Sequence, residues 1–196
     1  MERVVTLGLG GVPLKHDEIL ARLVADARAD ASIVGFLVFG SVARGTHRED
    51  SDIDVLTVLA SDDAGSGIRN RMVDGVKVGD LFFSRATLVH SIETVPYLLH
   101  PVGEATLLLD RDGTLDPLLA RIRDYFTAHP DIDAEWHAYY DLLKAEKAKY
   151  GHEKTTIIDV WNELESRYSG GRTRRRFFNA FYLTNPRIFS VVKRLM

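Results

Sequence analysis

The residues best suited to chemistry in this 196-residue chain lie between Gly35 and Leu59. An apolar run there breaks at Gly40-Ser41 and is followed by an Asp-x-Asp pair. Gly40 has no Cβ, so the backbone can turn sharply and approach a ligand closely. Ser41 adds a hydroxyl where a helix would begin and offer unpaired N–H groups, and Arg44, one turn further on, can contact a phosphate. We therefore expect an anion-binding turn at these three residues.

Two carboxylates follow at the start of the next apolar run. Asp52 and Asp54 stand two positions apart, so on a strand both point to one face while Ile53 and Val55 point to the other. Carboxylate oxygens together with substrate phosphates are the ligands that Mg²⁺ usually takes in proteins. The spacing predicts a Mg²⁺ site beside the anion-binding turn.

A third carboxylate, Asp80, interrupts an apolar run over residues 76–83. A charge in such a strand is costly unless a metal or another partner compensates it. A two-metal site uses a further carboxylate near the attacking hydroxyl, and we expect Asp80 to supply it. Asp74, at a Val-Asp-Gly sequence, is more simply a turn residue.

The full pattern resembles the DNA-polymerase-β-like nucleotidyltransferase superfamily, especially its minimal and antibiotic-modifying members. The resemblance rests on Gly-Ser, ten intervening residues, Asp-x-Asp and a third Asp on a following strand. It covers about residues 33–83, where GSVARGTHREDSDIDVLTV is typical of the family. This complete spacing is far more specific than a Gly-Ser or an Asp-x-Asp alone.

The resemblance implies transfer of a nucleoside monophosphate from a nucleoside triphosphate to a hydroxyl, with release of pyrophosphate. Asp52 and Asp54 would hold two Mg²⁺ ions, and Asp80 would ligate the catalytic ion and help deprotonate the acceptor. Gly40, Ser41 and Arg44 would bind the triphosphate. The acceptor stays open among a small antibiotic-like molecule, a protein hydroxyl and an RNA end. The alternative from another class is an antitoxin-like or regulatory binding protein of the same fold.

The elements that must position these residues follow from the apolar pattern. Continuous apolar runs predict strands over residues 32–39, 53–59, 76–83 and 105–109. Helical spacing predicts helices over 14–29, from an N-cap at Ser84 toward His100, and over 115–128, 133–150 and 155–168. We expect an α+β fold with a mixed sheet: a polymerase-β-like core over residues 1–112 and a C-terminal helical bundle over 113–196.

Composition places the chain among ordinary globular proteins. Hydrophobic residues make up 45% and charged residues 27%, which predicts a packed core. Without cysteine there can be no disulfide framework and no thiolate zinc site. No long apolar segment suggests a signal peptide or a membrane span, so we expect a cytoplasmic protein without a membrane partner.

The charge is distributed unevenly along the chain. Residues 167–196 carry eight Lys/Arg and no Asp/Glu. Because the whole chain has a net charge of −3, residues 1–166 have a net charge of −11. The segment includes the basic cluster Arg172, Arg174, Arg175 and Arg176 among several Phe residues. It can dock on its own acidic body, or its arginines can face the nucleotide cleft, and nucleic-acid binding is a further alternative. The oligomeric state is not predicted.

Overall fold

The computed structural model describes residues 15–64 and 66–151. This part of the chain contains six helices and five strands. They are α1 (Lys15–Ala29), β1 (Ile33–Phe39), α2 (Gly40–Ala43), β2 (Ile53–Leu59), β3 (Gly67–Val73), β4 (Val76–Ser84), α3 (Arg85–Thr94), α4 (His100–Gly103), β5 (Thr106–Asp110), α5 (Leu115–Ala128) and α6 (Pro130–Tyr150). Short 3₁₀ turns occupy Asp62–Ala64 and Pro96–Leu98.

The five strands form one mixed sheet in the order β3-β4-β2-β1-β5. β1 pairs antiparallel with both β2 and β5, β2 pairs parallel with β4, and β3 forms an antiparallel hairpin with β4. The hairpin turns at Asp74 and Gly75, which both have positive φ. The predicted mixed sheet containing β1, β2 and β4 is confirmed, and so is the predicted turn at Asp74.

Each face of the sheet buries a separate apolar cluster. One face packs on α1, whose Ile19, Leu23 and Ala27 recur at helical spacing and meet Ile53 and Val55 of β2. The other face packs on α3, α5 and α6, and its cluster includes Leu56 and Val58 of the same strand. Successive residues of β2 therefore pack alternately in the two clusters, as the two-residue period of a strand requires.

The helices after β5 pack directly on the sheet. Leu115 at the start of α5 fills the space over Gly35, where a built Cβ would lie 1.8 Å from Leu115 Cδ1. Trp136 of α6 is fully buried in the same cluster, and its indole N–H donates to the carbonyl of Tyr97 at 2.9 Å. The boundary predicted after residue 112 thus falls between two elements, β5 and α5, that border a common core.

Two elements differ from the prediction. β3 was not predicted, because its residues are largely exposed and its pairing with β4 is a tertiary contact. The helix that begins after Ser84 ends at Thr94 instead of continuing toward His100. Ser84 does cap it, since its hydroxyl accepts from the N–H of Thr87. The helix stops before Pro96 because proline disfavours helical geometry in the residue preceding it.

Arg111 fastens the end of α1 to the sheet. Its Nε donates to the carbonyl of Ile33 at 2.6 Å, and its Nη2 donates to the carbonyls of Ala27, Arg28 and Asp30. The last carbonyls of a helix lack partners within the helix, so this guanidinium satisfies acceptors that would otherwise need water.

Several predictions concern residues outside the described ranges. The helix expected over 155–168 and the basic cluster at Arg172, Arg174, Arg175 and Arg176 both lie there. Within residues 15–64 and 66–151, no helix combines the length and apolar character needed to cross a membrane.

Candidate active site

The carboxylate of Asp54 lies against the turn at Gly40. Phe39, the last residue of β1, pairs with Asp54 on β2, and Gly40 then begins α2 with a φ of 70°. A Cβ built on Gly40 would come within 2.7 Å of Asp54 Oδ2. The space that a side chain would need at position 40 is therefore taken by the carboxylate. The structure brings together the predicted Gly-Ser turn and the second Asp of the predicted pair.

A second glycine borders the same carboxylate. Gly79 on β4 is paired with Asp54, and its built Cβ would lie 3.1 Å from Asp54 Oδ1. Asn70 on β3 is the register partner of Gly79, and its Oδ1 lies 3.6 Å from the same built Cβ. Each oxygen of Asp54 thus lies next to a backbone without a side chain, so the carboxylate can approach that backbone closely.

Asp52 lies just before β2 and forms an ion pair with Lys77 of β4. Lys77 Nζ donates to Asp52 Oδ2 at 2.7 Å, and both side chains are about half exposed. Lys77 alternates with Val76 and Val78, which are buried on the opposite face, so it shares the face of Asp54. The sequence analysis did not single out this lysine. A cation that alternates with apolar residues on a strand indicates a side chain on the face opposite to the core, so the pattern could have identified it.

Asp80 does not join the other two carboxylates. It is the register partner of Val55, so its side chain lies on the face of α1, opposite to Asp54. Its buried carboxylate accepts from the hydroxyl of Thr57 at 2.7 Å and pairs with Arg69 at 2.9 Å. Burial raises the pKa of Asp80, and the Thr57 hydrogen bond and the Arg69 charge oppose that rise.

The sequence expectation for Asp80 is therefore corrected in its geometry. The partners of this buried carboxylate are a hydroxyl and a guanidinium, whereas the predicted role was to ligate a metal ion together with Asp52 and Asp54. The position beside Asp54 on β4 is occupied by Gly79. A one-residue offset along a strand moves a side chain to the other face, and this offset separates Asp80 from the pair.

Arg44 is engaged by two residues from distant parts of the chain. Its Nη1 donates to Glu104 Oε2 at 3.0 Å, and its guanidinium lies 4.7 Å from the centre of the Tyr140 ring. Burial raises the pKa of Tyr140, the charge of Glu104 adds to that rise and the charge of Arg44 opposes it. Asp54 also acts electrostatically on this phenol. Glu104, the residue after α4, and Tyr140 of α6 therefore lie together beside Arg44, the residue that follows α2.

Ser41 is the second residue of α2 and is half buried. Its carbonyl accepts from the N–H of Thr46 at 2.9 Å, which closes the loop after the helix. The first N–H groups of a helix have no partner within it, so the start of α2 presents donors next to the Asp54 carboxylate. The predicted turn residue Gly40 therefore lies against the Asp54 carboxylate, and Ser41 follows it in α2.

Comparison with known proteins identifies the class. The family model described as "Nucleotidyltransferase domain" matches residues 18–93, a segment from α1 to α3 that includes the Gly40 turn and both carboxylates of the pair. The predicted recognition is confirmed: residues 18–93 match a nucleotidyltransferase domain of the polymerase-β-like type, and this match supports the predicted nucleotidyltransferase activity.

One solved structure is similar to the chain over much of its length. It is a nucleotidyltransferase-like protein from Exiguobacterium sibiricum 255-15, with 13% sequence identity and a TM-score of 0.42. The match covers 85% of this chain and 72% of that one. The comparison with curated proteins gave no match.

Proposed function

We propose that the protein is a Mg²⁺-dependent nucleotidyltransferase that transfers a nucleoside monophosphate from a nucleoside triphosphate to a hydroxyl group. The acceptor oxygen forms a bond to the α-phosphorus, the bond from that phosphorus to the bridging oxygen breaks, and pyrophosphate leaves. The observation that carries the proposal is the contact between the Asp54 carboxylate and the Gly40 turn inside the matched domain. The acceptor is a small antibiotic-like molecule or a protein hydroxyl, with an RNA end as the third possibility.

The donor set on this face of the sheet suits a hard divalent cation. Asp52 and Asp54 offer carboxylate oxygens, and Mg²⁺ is commonly bound by one or two carboxylates plus substrate phosphates. The glycines at positions 40 and 79 let the Asp54 carboxylate lie directly against the backbone of the turn and of β4. When bound, Mg²⁺ would neutralise the charge that develops on the phosphates. The two carboxylates are enough to bind one ion. A second ion would have no ligand from Asp80, whose side chain lies on the opposite face of the sheet.

The residues of the turn would bind the triphosphate. The backbone N–H groups at the start of α2, at Gly40 and Ser41, would donate to phosphate oxygens of the triphosphate. Lys77, which pairs with Asp52 at 2.7 Å, is a cation on the same face of the sheet and would contact a phosphate of the triphosphate. Arg44 donates to Glu104 through Nη1, and the remaining N–H groups of its guanidinium would contact a phosphate.

The binding-protein alternative is favoured by one specific observation. The residue beside Asp54 on β4 is Gly79, so a third carboxylate is missing from the position where it could share a metal with the pair. A protein that retained nucleotide or partner binding without efficient turnover would tolerate this loss. In that case an antitoxin-like or regulatory role would rest on association instead of catalysis.

A screen with labelled ATP, GTP, CTP and UTP tests the proposal. The pure protein is incubated with Mg²⁺, each nucleotide and candidate acceptors, and transfer of label is measured. Asp54→Asn should abolish Mg²⁺-dependent transfer, whereas Asp63→Asn, an exposed residue of a 3₁₀ turn, should leave transfer unchanged. Transfer at the wild-type rate by Asp54→Asn would refute the assignment. Tight nucleotide binding with no transfer to any acceptor would favour the binding-protein alternative.

A further inference from the structure

A second cluster of polar side chains joins α4 to α6, apart from the carboxylate pair. His100 of α4 is buried, and its Nε2 lies 2.8 Å from Asp133 Oδ1. His137, one helical turn after Asp133 on α6, brings its Nε2 to 3.7 Å from Asp133 Oδ2. One ligand atom from each of the three residues can be chosen so that all lie within 4.8 Å of one another.

We propose that His100, Asp133 and His137 form a Zn²⁺ site. Two imidazole nitrogens and one carboxylate oxygen are a donor set that zinc accepts with a fourth position open to water or another ligand. Tetrahedral bonds of about 2.1 Å place ligand atoms about 3.4 Å from one another. The side chain of His137 is 57% exposed, so it can rotate to close the remaining distance without disturbing the core.

The surroundings of His100 provide the outer partner that such ligands usually have. A metal-bound histidine typically directs its other ring nitrogen at a carboxylate or another acceptor. His100 Nδ1 lies 3.9 Å from Glu104 Oε1 and 3.4 Å from the hydroxyl of Tyr140. Binding of zinc at Nε2 would leave the proton on Nδ1, from which it can be donated to the hydroxyl oxygen of Tyr140, with the Glu104 carboxylate nearby.

A cavity adjoins the cluster, and a ligand at the fourth coordination position of the zinc ion could occupy it. It measures about 210 Å³ and is lined by His100, Asp133 and Glu104, together with Arg123, Phe126 and Thr127. A water molecule, or an oxygen or nitrogen atom of a small ligand, can occupy it and complete the tetrahedron. The arrangement is therefore that of an exchangeable zinc site, which also ties α4 to α6.

Calorimetric titration of the full-length, tag-free protein with ZnCl₂ after treatment with a chelator tests this site. The wild type should bind one equivalent at the cluster. His137→Ala should lower the affinity by about 100-fold or more, because it removes a direct ligand and even lost outer partners typically cost 10–100-fold. His90→Ala, a change at an exposed histidine of α3, should leave the affinity unchanged. The zinc-free unfolding curves of the wild type and His137→Ala should coincide, since position 137 is exposed.

Two outcomes would overturn the proposal. One is the absence of stoichiometric zinc binding by the wild type. The other is wild-type affinity in His137→Ala, which would locate the ion elsewhere. His16 and His47, whose rings lie 5.0 Å apart, are the other close histidine pair among the described residues outside this cluster, so His47→Ala identifies that location. Zinc should also raise the melting temperature of the wild type more than that of His137→Ala, because a ligand stabilises only the state that binds it.

Discussion

Replacing Gly40 by alanine tests the contact between the turn and the Asp54 carboxylate. The added Cβ would lie 2.7 Å from Asp54 Oδ2, about 0.7 Å short of the 3.4 Å at which ordinary contact begins. The neighbouring backbone is fixed by the pairing of Phe39 with Asp54, so the carboxylate must move. A displacement of about 1 Å in a catalytic group can lower the rate roughly 100-fold. We expect Gly40→Ala to reduce Mg²⁺-dependent transfer about 10- to 100-fold.

The substitution also strains the backbone, and a matched variant separates the two effects. Gly40 has a φ of 70° and Gly113 a φ of 71°, but a Cβ on Gly113 would meet nothing within 4 Å. Left-handed geometry costs an alanine about 1–2 kcal/mol, partly offset by the lower entropy of its unfolded chain. Both variants should therefore lose about 1 kcal/mol of unfolding free energy, and only Gly40→Ala should lose transfer.

The assay combines urea unfolding with two functional measurements. Transfer is followed with the acceptor found in the nucleotide screen, and Mg²⁺-dependent binding of a non-hydrolysable triphosphate is measured by calorimetry. Binding does not need an acceptor, so the test remains informative if the acceptor is unknown. Equal transfer and equal binding in Gly40→Ala and Gly113→Ala would refute the reasoning, because the carboxylate would then tolerate displacement.

Three further predictions concern stability. Trp136→Ala should lose about 3–5 kcal/mol of unfolding free energy in urea, whereas the exposed Leu142→Ala should stay within about 0.5 kcal/mol. Arg111→Met should lower the unfolding free energy by about 1 kcal/mol, because carbonyls at the end of α1 lose their charged donor. Arg121 forms only a loose surface ion pair with Glu93, and an equal loss in Arg121→Met would contradict this prediction. Burial raises the pKa of Asp80, so the native state favours its protonated form. The stability advantage of the wild type over Asp80→Asn should be fully present below pH 3.8 and shrink as the pH rises through the raised pKa; an advantage that grows would contradict the sign.

The central elements of the site could be predicted from the sequence because their signals are local. The apolar run of β1 ends at a Gly-Ser pair, and the Asp-x-Asp spacing fixes two carboxylates to one face of β2. Helical spacing likewise predicted α1 and α5, which the structure places at Lys15–Ala29 and Leu115–Ala128. The predicted α6 begins three residues earlier than expected, because Pro130 suits the first turn of a helix.

The features that escaped prediction depend on pairing between distant segments. Whether Asp80 or Gly79 lies beside Asp54 is decided by the parallel register of β4 on β2, which a single sequence does not encode in any local pattern. The contacts of Arg44 with Glu104 and Tyr140 join positions 60 or more residues apart. A strand such as β3, exposed on most of its length, likewise gains its stability from its partner and shows little periodicity.

The position of β1 has a consequence for how the chain is made. During synthesis β1 emerges early, yet one of its two neighbours in the sheet is β5, and Gly35 pairs with Asp110. Leu115, which covers Gly35, emerges later still. Until then the strand that leads into the Gly40 turn has an unpaired apolar edge, the kind of surface that recruits other chains. A fragment cut at residue 93, where the family match ends, would keep that edge permanently and should aggregate, whereas one extended through α6, which completes the core with Trp136, should remain soluble.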